Sequence, residues 1–252
     1  MPEKNLASEI NERGYAVVSA PTNNHDPFAV HAATARTLGL SDAYLPLLYR
    51  DKEVRAAVGQ VEPYNEIPRN TATVEPWSET PGQSYHVDGL LEPLGGIKTT
   101  ILHCLVQAHS GGETELLDSC AAFADLQEID EPSAQALLDE AALTRFATIP
   151  GASPQHLQTT GPVFGQVDGE FVTRFSDGPT ERWNTGQVRH LDTALQHFRG
   201  PGLDTHRVRI RLSPGDMLIF RNDRLSHRGC PYQNGAEPRR LTRSMYSERP
   251  RQ

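Results

Sequence analysis

Apolar and polar positions change rhythm several times along the 252-residue chain. The opening residues read as a short helix, followed by the strand Gly14-Tyr15-Ala16-Val17-Val18-Ser19, and residues 27–39 read as a second helix. Ile97 to Val106 is apolar and β-branched, the signature of a buried strand. Helical stretches are expected over Ser119–Glu128 and over Pro132–Ala142, where proline suits a first turn. Residues 161–175 centre on Asp168-Gly169, a hairpin signal. Val188, Leu191, Leu195 and Phe198 then share one helical face.

The C-terminal part alternates. Val208, Ile210 and Leu212 interleave with Arg207, Arg209 and Arg211, a half-buried strand with its arginines outward. Ser213-Pro214-Gly215-Asp216 turns the chain into Met217-Leu218-Ile219-Phe220, and a last strand is expected over Arg239–Ser247. Many strands, few helices and turn signals between them give a mainly β fold with attached helices. Residues 60–85 lack periodicity and read as a long loop of the kind that covers a binding site. No repeat or low-complexity linker divides residues 1–252, so a single domain is expected.

The net charge of -8 argues against nucleic acid or an anionic membrane surface as a partner. It is unevenly divided: residues 207–252 carry eleven Arg and four acids, leaving the first 206 residues strongly acidic. Cys104, Cys120 and Cys230 are an odd, scattered set that suggests neither a disulfide framework nor a zinc site. No run of 18 apolar residues suits a membrane span, and Met1-Pro2-Glu3-Lys4-Asn5 does not open a signal peptide, so a cytoplasmic location is expected.

Two His-x-Asp motifs stand out, His86-Val87-Asp88 and His190-Leu191-Asp192. In an extended segment, residues i and i+2 project to one face and can share a metal; in a helix they point about 200° apart. The second pair falls on a predicted helix and reads as solvated surface. The first follows a loop and is the candidate chelator. A non-haem iron site needs a second histidine, and His227, just after the Met217–Phe220 strand, is the one with suitable context. His103 lies within an apolar strand and reads as a core residue.

These residues, with Gly111-Gly112-Glu113-Thr114 and Arg239-Arg240-Leu241-Thr242-Arg243, resemble the Fe(II)/2-oxoglutarate-dependent dioxygenases of the taurine dioxygenase (TauD/TfdA) type; the clavaminate synthase-like branch is similar. The resemblance covers roughly residues 80–250 and implies a double-stranded β-helix (jelly-roll) core. It implies that His86, Asp88 and His227 bind Fe(II), and that Thr114 and either Arg239 or Arg240 hold the far carboxylate of 2-oxoglutarate. Arg239 and Arg243, four apart, would share a strand face, which favours Arg239. The implied reaction consumes O2 and 2-oxoglutarate, releases succinate and CO2 and hydroxylates a small molecule, with ascorbate as reductant in vitro. Desaturation, epoxidation or cyclisation are alternative outcomes, and a non-catalytic metal-binding jelly roll is the alternative class. Halogenation is not expected, because related halogenases carry a small residue at the position of Asp88.

For the substrate, the resemblance makes Arg243 an anchor for an anionic group. Arg174 and Asp177 are candidates for a zwitterion-binding pair, with a salt-bridged hairpin as the favoured alternative, and Tyr85 and the loop from Tyr64 to Trp77 for the pocket wall. These suggest a small polar substrate, an amino-acid derivative of secondary metabolism. The sequence does not specify an oligomeric state.

Overall fold

The computed structural model describes residues 5–20, 26–41, 43–45, 58–61, 82–147 and 158–251. The loop expected over residues 60–85, with Tyr64 and Trp77, lies almost wholly outside them.

Two antiparallel sheets carry the site. The larger has the order β1 (Tyr15–Ser19), β12 (Asp216–Arg221), β3 (Thr99–Val106), β15 (Arg240–Tyr246) and β2 (Val58–Val61). The smaller has the order β11 (Arg207–Ile210), β5 (Thr114–Asp118) and β13 (Leu225–Gly229). Alternation assigns their faces. Leu102, Cys104, Leu218, Phe220 and Leu241 of the larger sheet form one buried cluster with Leu116 and Leu225 of the smaller. The intervening positions Ile101, Met217 and Ile219 pack instead with residues of α1 (Leu6–Arg13) and α2 (Pro27–Thr37). The core therefore lies between the sheets, with helices behind the larger one.

A third layer is inserted between β5 and β11. It holds α3 (Ser119–Ile129), α4 (Glu131–Ala136), α5 (Leu191–Arg199) and the small sheet β10 (Glu181–Trp183), β6 (Leu143–Phe146) and β7 (Gln158–Gly161). Its apolar cluster includes Phe123, Phe164, Phe175 and Phe198, and it reaches Leu117 and Tyr85. The hairpin β8 (Phe164–Val167) and β9 (Glu170–Thr173) turns at Asp168-Gly169, both at positive φ (52° and 78°), the left-handed pair that a tight hairpin requires.

Sequence periodicity located most of these elements. Two helices are shorter than expected. The Pro132–Ala142 stretch ends as a helix at Ala136, and the chain then enters β6, a strand not anticipated. The other begins at Leu191, because His190 sits at φ 66° as its N-cap. The strand β13, which carries His227, is not among the strands expected from the sequence.

Candidate metal centre

His86 and His227 are joined backbone to backbone as an isolated antiparallel bridge, each N–H donating to the other's carbonyl at 2.9 and 2.8 Å. Their rings lie 4.3 Å apart, centroid to centroid. With Asp88, two residues on from His86, they bring three ligand atoms within 4.8 Å of one another. This is the only such cluster of His, Cys, Asp and Glu among the described residues. His190 and Asp192 are exposed at a helix start, as expected of solvated surface.

The electrostatics suit a divalent cation. Burial lowers the pKa of both histidines, that of His227 to about 3, so both rings stay neutral and keep a lone pair. Nδ1 of His86 lies 2.9 Å from the Ser84 carbonyl, which fixes the tautomer and leaves Nε2 to coordinate. His227 Nε2 lies 3.9 Å from Asp88 Oδ2, and its buried Nδ1 has no hydrogen-bond partner among the described residues. Because His227 is neutral, that approach is not an ion pair; it is a gap between two donors. Burial pushes the Asp88 carboxyl up, but Arg243, His227, His86 and Thr100 together bring it down to about 2. Two neutral imidazoles and one carboxylate are the donor set of a facial non-haem iron site, so these residues fit the ion.

Three groups hold Asp88: Arg243, expected from the sequence only as a substrate anchor, and Thr100 and Asn222, which sequence reasoning missed. Arg243 Nη1 donates to its Oδ1 at 2.5 Å and Thr100 Oγ1 to its Oδ2 at 2.7 Å. Asn222 fixes its backbone, accepting from the Asp88 N–H at 2.8 Å and donating to the Asp88 carbonyl at 3.3 Å. Thr100 and Asn222 are remote in sequence, and no local motif marks them.

Of the two adjacent arginines, Arg239 is buried and Arg240 exposed. The expected reason differs from the observed one. The β15 ladder starts at Arg240 and shifts register between Arg240 and Leu241, so strand alternation does not run through Arg239. Arg239 is placed by its own contacts: its N–H donates to Asn234 Oδ1, its Nη2 donates to the Gly112 carbonyl at 3.0 Å, and its guanidinium lies over Tyr232. Thr114, at the start of β5, is buried. A Cβ at Gly112 would sit 3.1 Å from Arg239 Nε and 3.0 Å from Ala108 Cβ, and φ there is +76°. Gly112→Ala is therefore expected to displace Arg239 and to destabilise the protein by about 1–3 kcal/mol, read from a denaturant melt; an unchanged melt would contradict this packing.

Two substrate expectations are corrected. Arg174 and Asp177 do not pair: Arg174 is buried, with Nη2 donating to the Leu143 carbonyl at 2.9 Å, whereas Asp177 accepts a bidentate pair from Arg199 at 2.7 and 2.8 Å. Tyr85 does not stand beside His86. It precedes it in an extended segment, points the other way and joins the apolar cluster of the inserted layer, its hydroxyl donating to buried Glu115. Glu115 also accepts from Arg209 and forms an ion pair with Arg228 at 2.6 Å. Arg209 thus ties down a buried carboxylate rather than serving as ordinary surface charge.

Several known proteins resemble this chain. The family model described as "Taurine catabolism dioxygenase TauD, TfdA family" matches residues 6–245. A uridine-5′-phosphate dioxygenase of an Amycolatopsis species is 42% identical over 252 residues, 98% of this chain and 89% of that protein. One from a Streptomyces species is 36% identical over 248 residues, 94% of this chain and 87% of that protein. Among solved structures, asparagine oxygenase with Fe(II), 3-hydroxyasparagine and succinate superposes with TM-score 0.70 at 17% identity, over 96% of this chain and 78% of that one. The non-haem iron oxygenase OrfP with Fe and α-ketoglutaric acid gives 0.64 at 14% identity, over 95% and 77%. Likeness at that identity speaks for the fold alone.

Proposed function

The chain belongs to the taurine catabolism dioxygenase TauD, TfdA family, and from that premise we propose that His86, Asp88 and His227 hold its iron and that its substrate is a nucleoside 5′-monophosphate, uridine 5′-phosphate in the first instance. It is an Fe(II)- and 2-oxoglutarate-dependent dioxygenase acting on a small molecule, with a jelly-roll core. The observation that carries the site assignment is the convergence of His86, Asp88 and His227 on one point while their other polar atoms face fixed partners or none. The nucleotide reading rests on identity of 42% and 36% to two uridine-5′-phosphate dioxygenases along nearly the whole chain. It replaces the amino-acid derivative, which relied on the Arg174–Asp177 pair.

Bound iron and 2-oxoglutarate supply activation of O2, coupled to decarboxylation of the keto acid to succinate and CO2 and to oxidation of a substrate C–H bond. The protein's part is to bind, orient and exclude water. Arg239 and Thr114 are assigned to the far carboxylate of 2-oxoglutarate; a planar, permanently charged fork and a hydroxyl are the donors that group accepts. Arg243, beside Asp88, is assigned to an anionic group of the substrate, a role in which a guanidinium serves phosphate as well as carboxylate. Phe220 packs against the His227 ring at 4.8 Å and belongs to one buried apolar cluster with Leu218 and Leu116. No general base is needed. The chain is read as one domain of the reducing cytoplasm, in keeping with a family match over residues 6–245 and three free cysteines.

Protein supplied with Fe(II), 2-oxoglutarate, O2 and ascorbate is expected to release succinate with uridine 5′-phosphate. With uridine, which lacks the anion, kcat/KM should fall on the order of 10²-fold or more. Succinate release driven by asparagine or arginine but not by the nucleotide would overturn the substrate reading and leave the cofactor class intact.

A further inference from the structure

Arg145 is the largest fully buried side chain among the described residues, 2% exposed, on the central strand of the small inserted sheet. Its Nη2 donates to the Val87 carbonyl at 2.8 Å and its Nη1 to the Gly89 carbonyl at 3.1 Å. Those carbonyls flank Asp88, the one anionic member of the candidate metal set. The fork therefore grips the His-x-Asp segment from behind while Asn222 fixes the Asp88 peptide itself. Glu181 lies 3.9 Å from Arg145 Nε and, with buried Glu92, supplies the negative charge that makes burial of this cation tolerable. Sequence separation is large, 58 residues from Arg145 to Val87, so the contact ties two layers together.

The neighbouring buried arginine makes the contrast. Arg174 donates to the carbonyls of Leu143 and Thr159, both inside its own layer, and touches nothing of the His-x-Asp segment among its described bonds. Two buried arginines thus share one layer, but only one reaches out of it to the metal cluster. Purely internal cross-bracing would not require a fork that straddles a metal ligand. With two donors in fixed geometry, a guanidinium sets both the position and the tilt of the peptide segment it holds; an ammonium, a point charge with rotatable donors on a flexible stem, does not impose that tilt.

We propose that Arg145 is a positioning residue of the metal centre: through the Val87 and Gly89 carbonyls it sets the direction in which Asp88 presents its carboxylate to the ion. The proposal rests on the reading of His86, Asp88 and His227 as the metal ligands. It extends the supporting shell of that site into the inserted layer, from which Ser176 Oγ also accepts from the Val87 N–H at 3.4 Å.

Co(II) serves as the probe, since its visible ligand-field spectrum reports ligand geometry without turnover. Wild-type protein, His227→Ala, Arg145→Lys and Arg174→Lys are titrated with Co(II), with thermal unfolding measured in parallel. Arg145→Lys is expected to weaken Co(II) binding by about tenfold, within the range found for outer-shell partners, and to shift the ligand-field bands. Arg174→Lys should lose comparable thermal stability yet keep wild-type affinity and spectrum. Wild-type affinity and spectrum in Arg145→Lys would overturn the proposal, as would equal weakening by Arg174→Lys, which would mean general loosening. Should Arg145→Lys not fold, Glu181→Gln keeps the arginine and removes one of its counter-charges; it must shift the spectrum in the same sense, and an unchanged spectrum and affinity overturn the proposal. A wild-type protein that binds no Co(II), or a His227→Ala variant that binds it equally well, would instead sink the reading of the metal ligands.

Discussion

Asp88→Ala is expected to abolish coupled product formation, a fall of more than about 10³-fold, because the variant loses the only anionic donor of a site whose other two donors are neutral rings. The same change should cost folding stability. Asp88 is 6% exposed, and its carboxylate neutralises Arg243 at 2.5 Å. Removing one member of a mostly buried ion pair typically costs roughly 3–5 kcal/mol, since the other charge is left uncompensated. Succinate assays and denaturant melts on the same preparation separate the two effects. Thr100→Val provides the comparison: it deletes the hydroxyl that donates to Oδ2 at 2.7 Å and leaves the carboxylate in place. Its turnover should fall by on the order of tenfold. Undiminished product from Asp88→Ala would remove the basis for the ligand assignment.

Arg239→Gln is expected to raise KM for 2-oxoglutarate on the order of 10²-fold or more, with a smaller change in kcat at saturation. A charge-assisted, bidentate contact contributes roughly twice what a neutral hydrogen bond does, and glutamine supplies neither the charge nor the fork. Arg239 is well placed for such a contact. It is 9% exposed, and burial pushes its pKa down, so a dianion seated beside it would relieve a desolvated cation. Arg240→Gln, one residue along on an exposed position, should leave KM within about twofold, the range of surface changes. A large effect at position 240 with none at position 239 would reverse the assignment.

The elements were legible where the chain alternates strongly. Val208, Ile210 and Leu212 against Arg207, Arg209 and Arg211 announced β11, and Asp168-Gly169 announced its hairpin, because those signals are local. β6 was hidden: four residues, Leu143 to Phe146, are too few to show a period, and they directly follow a helical stretch. Strand β13 was hidden for a similar reason, since Leu225-Ser226-His227-Arg228-Gly229 is apolar only at its start.

At the site, the sequence by itself determined the ligand types and which His-x-Asp pair could chelate, since extended and helical geometry treat i and i+2 so differently. It also determined the mainly β class and, through ordered motifs, the family. Only the tertiary structure decided which side of each strand faces the candidate metal cluster. Tyr85 and His86 are neighbours, yet the first packs with Glu115 behind the smaller sheet and the second meets His227 in front of it. Arg174 and Asp177 are three residues apart, yet one bonds β6 and the other α5. Arg145, Thr100 and Asn222 gather around Asp88 from 12 to 134 residues away. Period-two alternation says that two side chains oppose each other; it does not say which is inside. That choice comes from strand pairing and layer packing, which bring together residues whose chemistry leaves no mark on their sequence neighbours.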